Sequence, residues 1–213
     1  MATASSLSEL APGQRSRSGP LRRALKRGAL AVAWILVSPL ILLARIEALL
    51  CGRDCERVFG AAKESLSLLP GVGGQFLRLA FYCSTCRAVS PDACFAFGSM
   101  VSSRDVGVGA GTVVGAYSIV GPSEIGEDVL IASRASVFSD RYEHGHPADR
   151  ARGDTSSDTF SLISIGNGCW IGENAIVMSS IGARCTVSAG AVVVREAPAG
   201  QTLMGNPARR ANL

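Results

Sequence analysis

From Val108 to Val193 aliphatic residues recur at every sixth position: Val113, Ile119, Ile125, Ile131 and Val137, then Ile165, Ile171 and Val177, then Ile181, Val187 and Val193. Glycine often follows an aliphatic directly, at Gly109, Gly115, Gly121, Gly126, Gly166, Gly172 and Gly182. A period of six matches neither the 3.6 of a helix nor the bare alternation of a strand. It predicts a mainly β protein built as a parallel β-helix, in which each short strand turns one aliphatic inward and a glycine-bearing turn carries the chain to the next face. An ordinary sheet can show two such hexads by chance, but eleven anchors are hard to obtain that way. Each coil buries its apolar row only against its neighbours, so the repeat is the core.

The pattern changes on both sides of the repeat and once inside it. Residues 1–27 carry no apolar period and are expected to be a disordered basic segment. Gly28 to Ala44 carries no charge, and Arg45 ends the run. Its seventeen residues fall short of the about 20 that a crossing helix needs. No Ala-x-Ala site follows, and Ala48-Leu49-Leu50-Cys51 lacks the small residue that a lipoprotein site wants before its cysteine. Residues 28–50 are therefore expected to stay on the chain as a membrane-associated helix rather than be cleaved as a signal peptide. Residues 51–90 repeat apolar positions at helical spacing, at Val58, Ala62, Leu66 and Leu69, then break at Pro70-Gly71-Val72-Gly73-Gly74 before a second short helix over Gln75–Tyr82. These helices either lie on a membrane or plug the open end of the β-helix. The β-helix domain is placed at 91–196 and a tail at 197–213. Within it the hexads stop over 138–164, a polar excursion that carries both histidines, His144 and His146. Long loops in compact domains are usually functional or disordered.

Composition narrows the partners. At 213 residues, with 47% hydrophobic and 18% charged residues, the chain suits one sizeable domain with an apolar appendage. The net charge of +4 is local, concentrated at Arg15, Arg17, Arg22, Arg23, Lys26 and Arg27, which argues for a membrane surface and against nucleic acid. Seven cysteines do not make a complete disulfide framework, and a reducing compartment is the simpler setting. Cys83-x-x-Cys86, with Cys51 and Cys55, lacks the spacing of a zinc site, so these residues are read mainly as apolar filler, with redox or metal use as the alternative.

The hexads with a His-bearing excursion, followed by IGNGCWIGENAIVM, VSAGAVVVREAPAG and the closing GNPARR, resemble the hexapeptide-repeat acyltransferases. More narrowly, Ala93 to Gly121 and the basic apolar N-terminus resemble the membrane-associated acetyltransferases of polysaccharide biosynthesis. The resemblance implies a left-handed β-helix, a homotrimer with active sites between subunits, and acetyl-coenzyme A or another acyl-coenzyme A as donor. It also implies a loop histidine as general base and no metal. An imidazole, with a pKa near 6.5, is well matched to take a hydroxyl proton near neutral pH. His144, in Arg141-Tyr142-Glu143-His144-Gly145, is preferred over His146, with Glu143 or Asp140 as the neighbour that orients it. For the donor the resemblance points to Trp170 of the WIG coil, Ala189 of Ser188-Ala189-Gly190, Arg195 after the last hexad and Arg209 of the closing Pro-Ala-Arg. Arginines suit a phosphate-rich cofactor through charge-assisted hydrogen bonds. Glu173 and Val194 stand where sugar acetyltransferases have Ser and Thr, and the turn Val177–Ile181 is two residues shorter than the common Pro-Gly version.

The expected function is acyl transfer to a hydroxyl of a sugar, glycan or lipid-linked precursor at the membrane. The alternatives are an N-acyltransferase on an amino sugar and a non-catalytic scaffolding β-helix. Because the donor is cytosolic, the catalytic domain is expected to face the cytoplasm. The basic cluster favours a cytoplasmic N-terminal side. Pro39, mid-run, favours a kink. Together these predict a re-entrant or shallow helix at the cytoplasmic membrane, with Trp34 near the interface; a true span is the alternative.

Overall fold

Strands of two or three residues wind into three parallel sheets, each coil adding one strand to each sheet. The first sheet holds β1 (Ala88–Val89), β4 (Val106–Val108), β7 (Ser123–Ile125) and β10 (Ile163–Ile165). The second holds β2 (Cys94–Phe95), β5 (Val113–Val114), β8 (Leu130–Ile131), β11 (Trp170–Ile171), β13 (Thr186–Val187) and β15 (Thr202–Met204), closed by the antiparallel β16 (Arg209–Arg210). The third holds β3 (Met100–Val101), β6 (Ile119–Val120), β9 (Ser136–Val137), β12 (Ile176–Val177) and β14 (Val192–Val193). The result is a parallel β-helix of about five turns. The structure, a computed structural model, describes residues 20–53, 55–138 and 162–211. The expected disorder at the extreme N-terminus and most of the excursion, with His144, His146, Glu143 and Asp140, lie outside the described residues.

The hexad anchors form the core with one shift of register. Ile125, Ile131, Val137, Ile165, Ile171, Val177, Ile181, Val187 and Val193 are at most 3% exposed. In the two earlier strands the inward residues are Val114 and Val120, both 0% exposed, and the expected anchors Val113 and Ile119 are only half-buried. The corner Gly121-Pro122 is one residue short, so counting back by six from Ile125 lands one place early. Side-chain alternation along a strand then turns that residue outward.

Two of the three corners are locked by backbone in the left-handed region. Gly111, Asp128, Gly168, Arg184 and Gly200 stack at the corner between the first and second sheets. Gly98, Tyr117, Arg134, Asn174 and Gly190 stack between the second and third, and all ten have φ between 53° and 75°. Their amides bond across coils, as from Asp128 to the carbonyl of Ala110 at 2.9 Å and from Arg134 to that of Ala116 at 2.8 Å. The third corner, which returns the chain to the first sheet, has no left-handed residue among the described residues. Its length varies from Gly121-Pro122 to Met178–Ser180 and Val194–Glu196. A corner that is not held by such a ladder tolerates insertion, and it is here, after β9, that the excursion leaves the coils.

Helices close the N-terminal end. α2 (Arg57–Ser67) packs on β3, and α3 (Gly71–Thr85) on β1 and β2. Of the two expected settings for these helices, the structure shows the plug. Tyr82 meets Phe95 of the first coil edge-on, with centroids 4.8 Å apart, and Phe59 stacks on Phe81 at 5.6 Å. The fully buried Arg78 donates to the carbonyls of Leu66 (3.0 Å), Leu69 (2.8 Å) and Phe95 (3.3 Å), so one cation caps the end of α2 and ties it to the first coil. α3 begins at Gly71, ahead of the expected Gln75, and Gly74 lies inside it, against the Leu69 backbone, where a Cβ would run into the Leu69 carbonyl. The coils likewise begin before residue 91, at Ala88, and continue past 196, through β15.

α1 (Pro20–Cys51) is one unbroken helix laid mostly on α3, and it starts ahead of the expected residue 28. Pro39 does not interrupt it: the Ser38 hydroxyl donates to the carbonyl of Ile35, the group that a residue-39 amide would have reached, at 2.8 Å. Near its end Glu47 forms a buried ion pair with Arg104 of the first coil (2.7 Å) and accepts from the amides of Val58 and Phe59 at the start of α2. The Arg104 guanidinium also lies over the Phe59 ring. Helices and coils are thereby joined through one charged latch.

Candidate functional site

The residues singled out in the sequence fall on two separate edges of the coils. Trp170 opens β11 on the outer side of the second sheet, 51% exposed, in register with Leu130 of the coil before and Thr186 of the coil after. The next corner brings in Ala189. The Gly172 amide donates to Val187 at 2.7 Å and the Gly190 amide to Glu173 at 2.8 Å, so the Trp170–Gly172 turn lies directly under Ser188–Gly190. A Cβ on Gly172 would stand 2.5 Å from the Ala189 nitrogen, which explains why glycine occupies this position. Ala189 is exposed and a Cβ on Gly190 would meet nothing within 4 Å, leaving the outer side of this corner open beside a half-exposed indole. Such a ledge offers a flat apolar wall and peptide groups to an elongated ligand.

Arg134, which sequence reasoning missed, stands at this corner and pairs with Glu173 at 3.3 Å, both side chains largely in solvent. The pair gives Glu173 a partner within the chain. The signal for Arg134 is its hexad phase, which matches that of Tyr117 and Asn174 at the same left-handed turn position. Exposed pairs of this kind add little stability, so its interest lies in charge placed beside the ledge.

Arg195 lies at the third corner. The Phe138 amide donates to Val177 and that of Met178 to Val193, so Phe138, Met178 and Val194 stack in successive coils. Two steps of about 4.8 Å put the Arg195 corner about 10 Å from the point where the excursion leaves. Arg209 is elsewhere again, on β16 at the far edge of the second sheet and exposed. Three strand steps separate it from Trp170, roughly 14 Å. One chain thus groups Trp170, Ala189 and Arg209 on the second sheet and its following corner, and Arg195 with the root of the excursion at the third corner.

The thiols of the Cys83-x-x-Cys86 pair are chemically quiet. Burial pushes the Cys83 thiol up to about 11 and that of Cys86 up to about 12, the opposite of what a redox or metal-binding thiolate needs. Cys169 and Cys185 fill the core, each donating to a carbonyl in the next coil.

No protein-family model matches the chain. Among solved structures, the chain is similar to a maltose O-acetyltransferase from Clostridium difficile 630, with a TM-score of 0.59 and 20% identity over 73% of this chain and 84% of that one. It is also similar to a hexapeptide-repeat-containing acetyltransferase from Vibrio cholerae, with a TM-score of 0.54 and 20% identity over 81% and 91% of the two chains. At that identity the likeness is one of fold.

Proposed function

We propose that the protein is an acyl-coenzyme A dependent O-acyltransferase, with acetyl-coenzyme A as donor and a sugar or lipid-linked glycan precursor as acceptor. The observation that carries this reading is the separation of the site residues: an open ledge at Trp170–Gly190 on one edge, and the root of a histidine-bearing excursion on another. In a homotrimer the third corner of one subunit faces the second-sheet edge of the next, and the cleft between them holds donor and base together. The donor's pantetheine arm runs along Trp170 and the Ala189 main chain, while Arg195 and Arg209 meet its phosphates. His144, with His146 as second candidate, takes the acceptor hydroxyl proton as the oxygen attacks the thioester carbonyl. The carbon–sulfur bond then breaks, the acyl group passes to oxygen, and coenzyme A leaves as the thiol. The fold shared with two acetyltransferases supports the choice of chemistry. The helix Ala24–Cys51, whose most apolar 18 residues have a mean hydropathy of 2.2, supports work at the cytoplasmic face of a membrane, where a cytosolic donor meets a lipid-linked acceptor.

The test is coenzyme A binding by the purified chain, followed by thiol release from acetyl-coenzyme A with glycan acceptors. Binding is expected in the wild type and in His144→Ala. Turnover in His144→Ala should fall about 100- to 10,000-fold. Absence of coenzyme A binding would leave the scaffolding alternative. Loss of turnover in His146→Ala alone would move the base to that residue.

A further inference from the structure

α1 has two apolar sides, and the protein covers only one. Leu30, Ala33, Val37 and Ala44 are at most 5% exposed and, with the partly buried Leu40 and Ile41 between them, share a stripe of three- and four-residue steps that lies on the helical cap. The opposite side carries Leu25, Val32, Ile35, Leu42, Leu43 and Leu49, each 52–83% exposed. A continuous apolar face of this length is far more than the scattered exposed leucines of a soluble surface.

Three observations identify what covers it. First, no Asp or Glu occurs between Leu10 and Ile46, while Arg22, Arg23 and Arg27 stand at the start of the helix, so the charge complements an anionic lipid surface. Second, α1 is fastened along its length. The Trp34 indole donates to the Ala80 carbonyl and the Ser84 hydroxyl (both 3.1 Å), Arg45 donates to the Ser84 carbonyl, and Glu47 pairs with Arg104. A helix held sideways in this way does not stand across a bilayer unless α3, with its buried Arg78, enters the hydrocarbon too. Third, apolar grooves flank it: one of about 380 Å³ against Val58 and Ala61 of α2, and one of about 270 Å³ against Gly73 and Phe76 of α3. The second is shared with Val32 of the exposed face, so it opens on that side and widens the apolar footprint beyond one helix.

We infer that α1 lies in the plane of an anionic membrane as a monotopic helix, its Leu25–Leu49 face sunk into one leaflet, with the β-helix held on the same side of the bilayer as the N-terminus. This is independent of the acyl-transfer reading. Of the re-entrant or shallow helix and the span that the sequence left open, it takes the shallow one, as an unbroken helix that never enters the far leaflet. The closed end of the β-helix is then the end turned toward the lipid.

The experiment uses the full chain in vesicles of phosphatidylcholine and phosphatidylglycerol. Spin labels are placed singly at Leu25, Ile35, Leu42 and Leu49 after replacement of the native cysteines. All four are expected at one shallow depth, about 5–10 Å into the headgroup and acyl boundary. A depth that changes steadily from Leu25 to Leu49 would show a span, and four labels in water would show no insertion; either overturns the inference. Where the cysteine replacements impair folding, Ile35→Lys with Leu43→Lys in the otherwise native chain gives a second measure. Neither side chain is part of the buried stripe. Vesicle flotation should fall about tenfold or more, with the thermal midpoint and coenzyme A binding unchanged. Unchanged flotation, or a lower oligomer mass with flotation intact, would overturn the inference; the latter would give the face to a second copy. Failure of coenzyme A binding in wild type and variant alike would count against acyl transfer only.

Discussion

Gly172 shows how one residue serves both the fold and the ledge. Because its missing Cβ leaves room for the Ala189 nitrogen, Gly172→Ala forces the two coils apart just where the candidate donor ledge forms. The expected loss is about 1–3 kcal/mol, as for other overpacked sites, together with weaker coenzyme A binding, measured by thermal melting and titration. Trp170→Ala separates the two roles. A half-exposed side chain should leave stability within about 0.5 kcal/mol, so a lost coenzyme A affinity there reports contact with ligand. The thiols give a third expectation at this scale. Mass spectrometry after alkylation near neutral pH should find the exposed Cys51 modified first, with Cys83 and Cys86 protected until the helices open, since burial keeps both protonated.

Among the elements, the helical cap is held by two charged residues rather than by apolar packing alone. Arg78→Met removes the donor for carbonyls at the end of α2 and on the first coil. With about 1–3 kcal/mol for each buried group left unsatisfied, a loss of about 3 kcal/mol or more is expected in denaturant melts. Glu47 adds a pH dependence. Burial pushes its carboxyl up, but the amides of Val58 and Phe59 and the Arg104 guanidinium outweigh this and hold it below its ordinary value. A carboxyl depressed in the folded state stabilises above its unfolded value, and that stability is lost as pH falls through the folded one. Protection against hydrogen exchange in α1 and the start of α2, relative to the intrinsic rate at each pH, should therefore fall on acidification below the ordinary carboxylate range, and Glu47→Gln should flatten this dependence. Both roles were hidden in the sequence. Arg78 and Glu47 read as the polar members of apolar helices, and their carbonyl and amide partners are 9 to 17 residues away along the chain, with Arg104 57 residues away.

For the whole molecule, the expectation is a trimer, because the two halves of the proposed site stand on different edges of one chain. Light scattering in detergent, corrected for bound detergent, should report three chains. A monomer that still transfers acyl groups would remove the shared cleft. The proposed in-plane α1 is compatible with that assembly, since three closed ends facing one leaflet would bring three clefts to the same height above the lipid.

The sequence by itself determined the repeat, its aliphatic core and the place where the coils are interrupted. The physical reason is that a β-helix is nearly one-dimensional: each strand's inward residue meets its counterparts one coil away, so local spacing encodes the packing. It also displayed the apolar run and its basic flank, which are matters of composition. Only the tertiary structure decided the register of Val114 and Val120, because one short corner shifts every residue before it. Only the structure decided that α2 and α3 plug the coils and that α1 runs unbroken through Pro39 while lying on them. Those outcomes depend on Arg78, Glu47, Arg104 and Ser38 finding partners. Amphipathic periodicity says that a face will be buried, and the tertiary contacts determine against what.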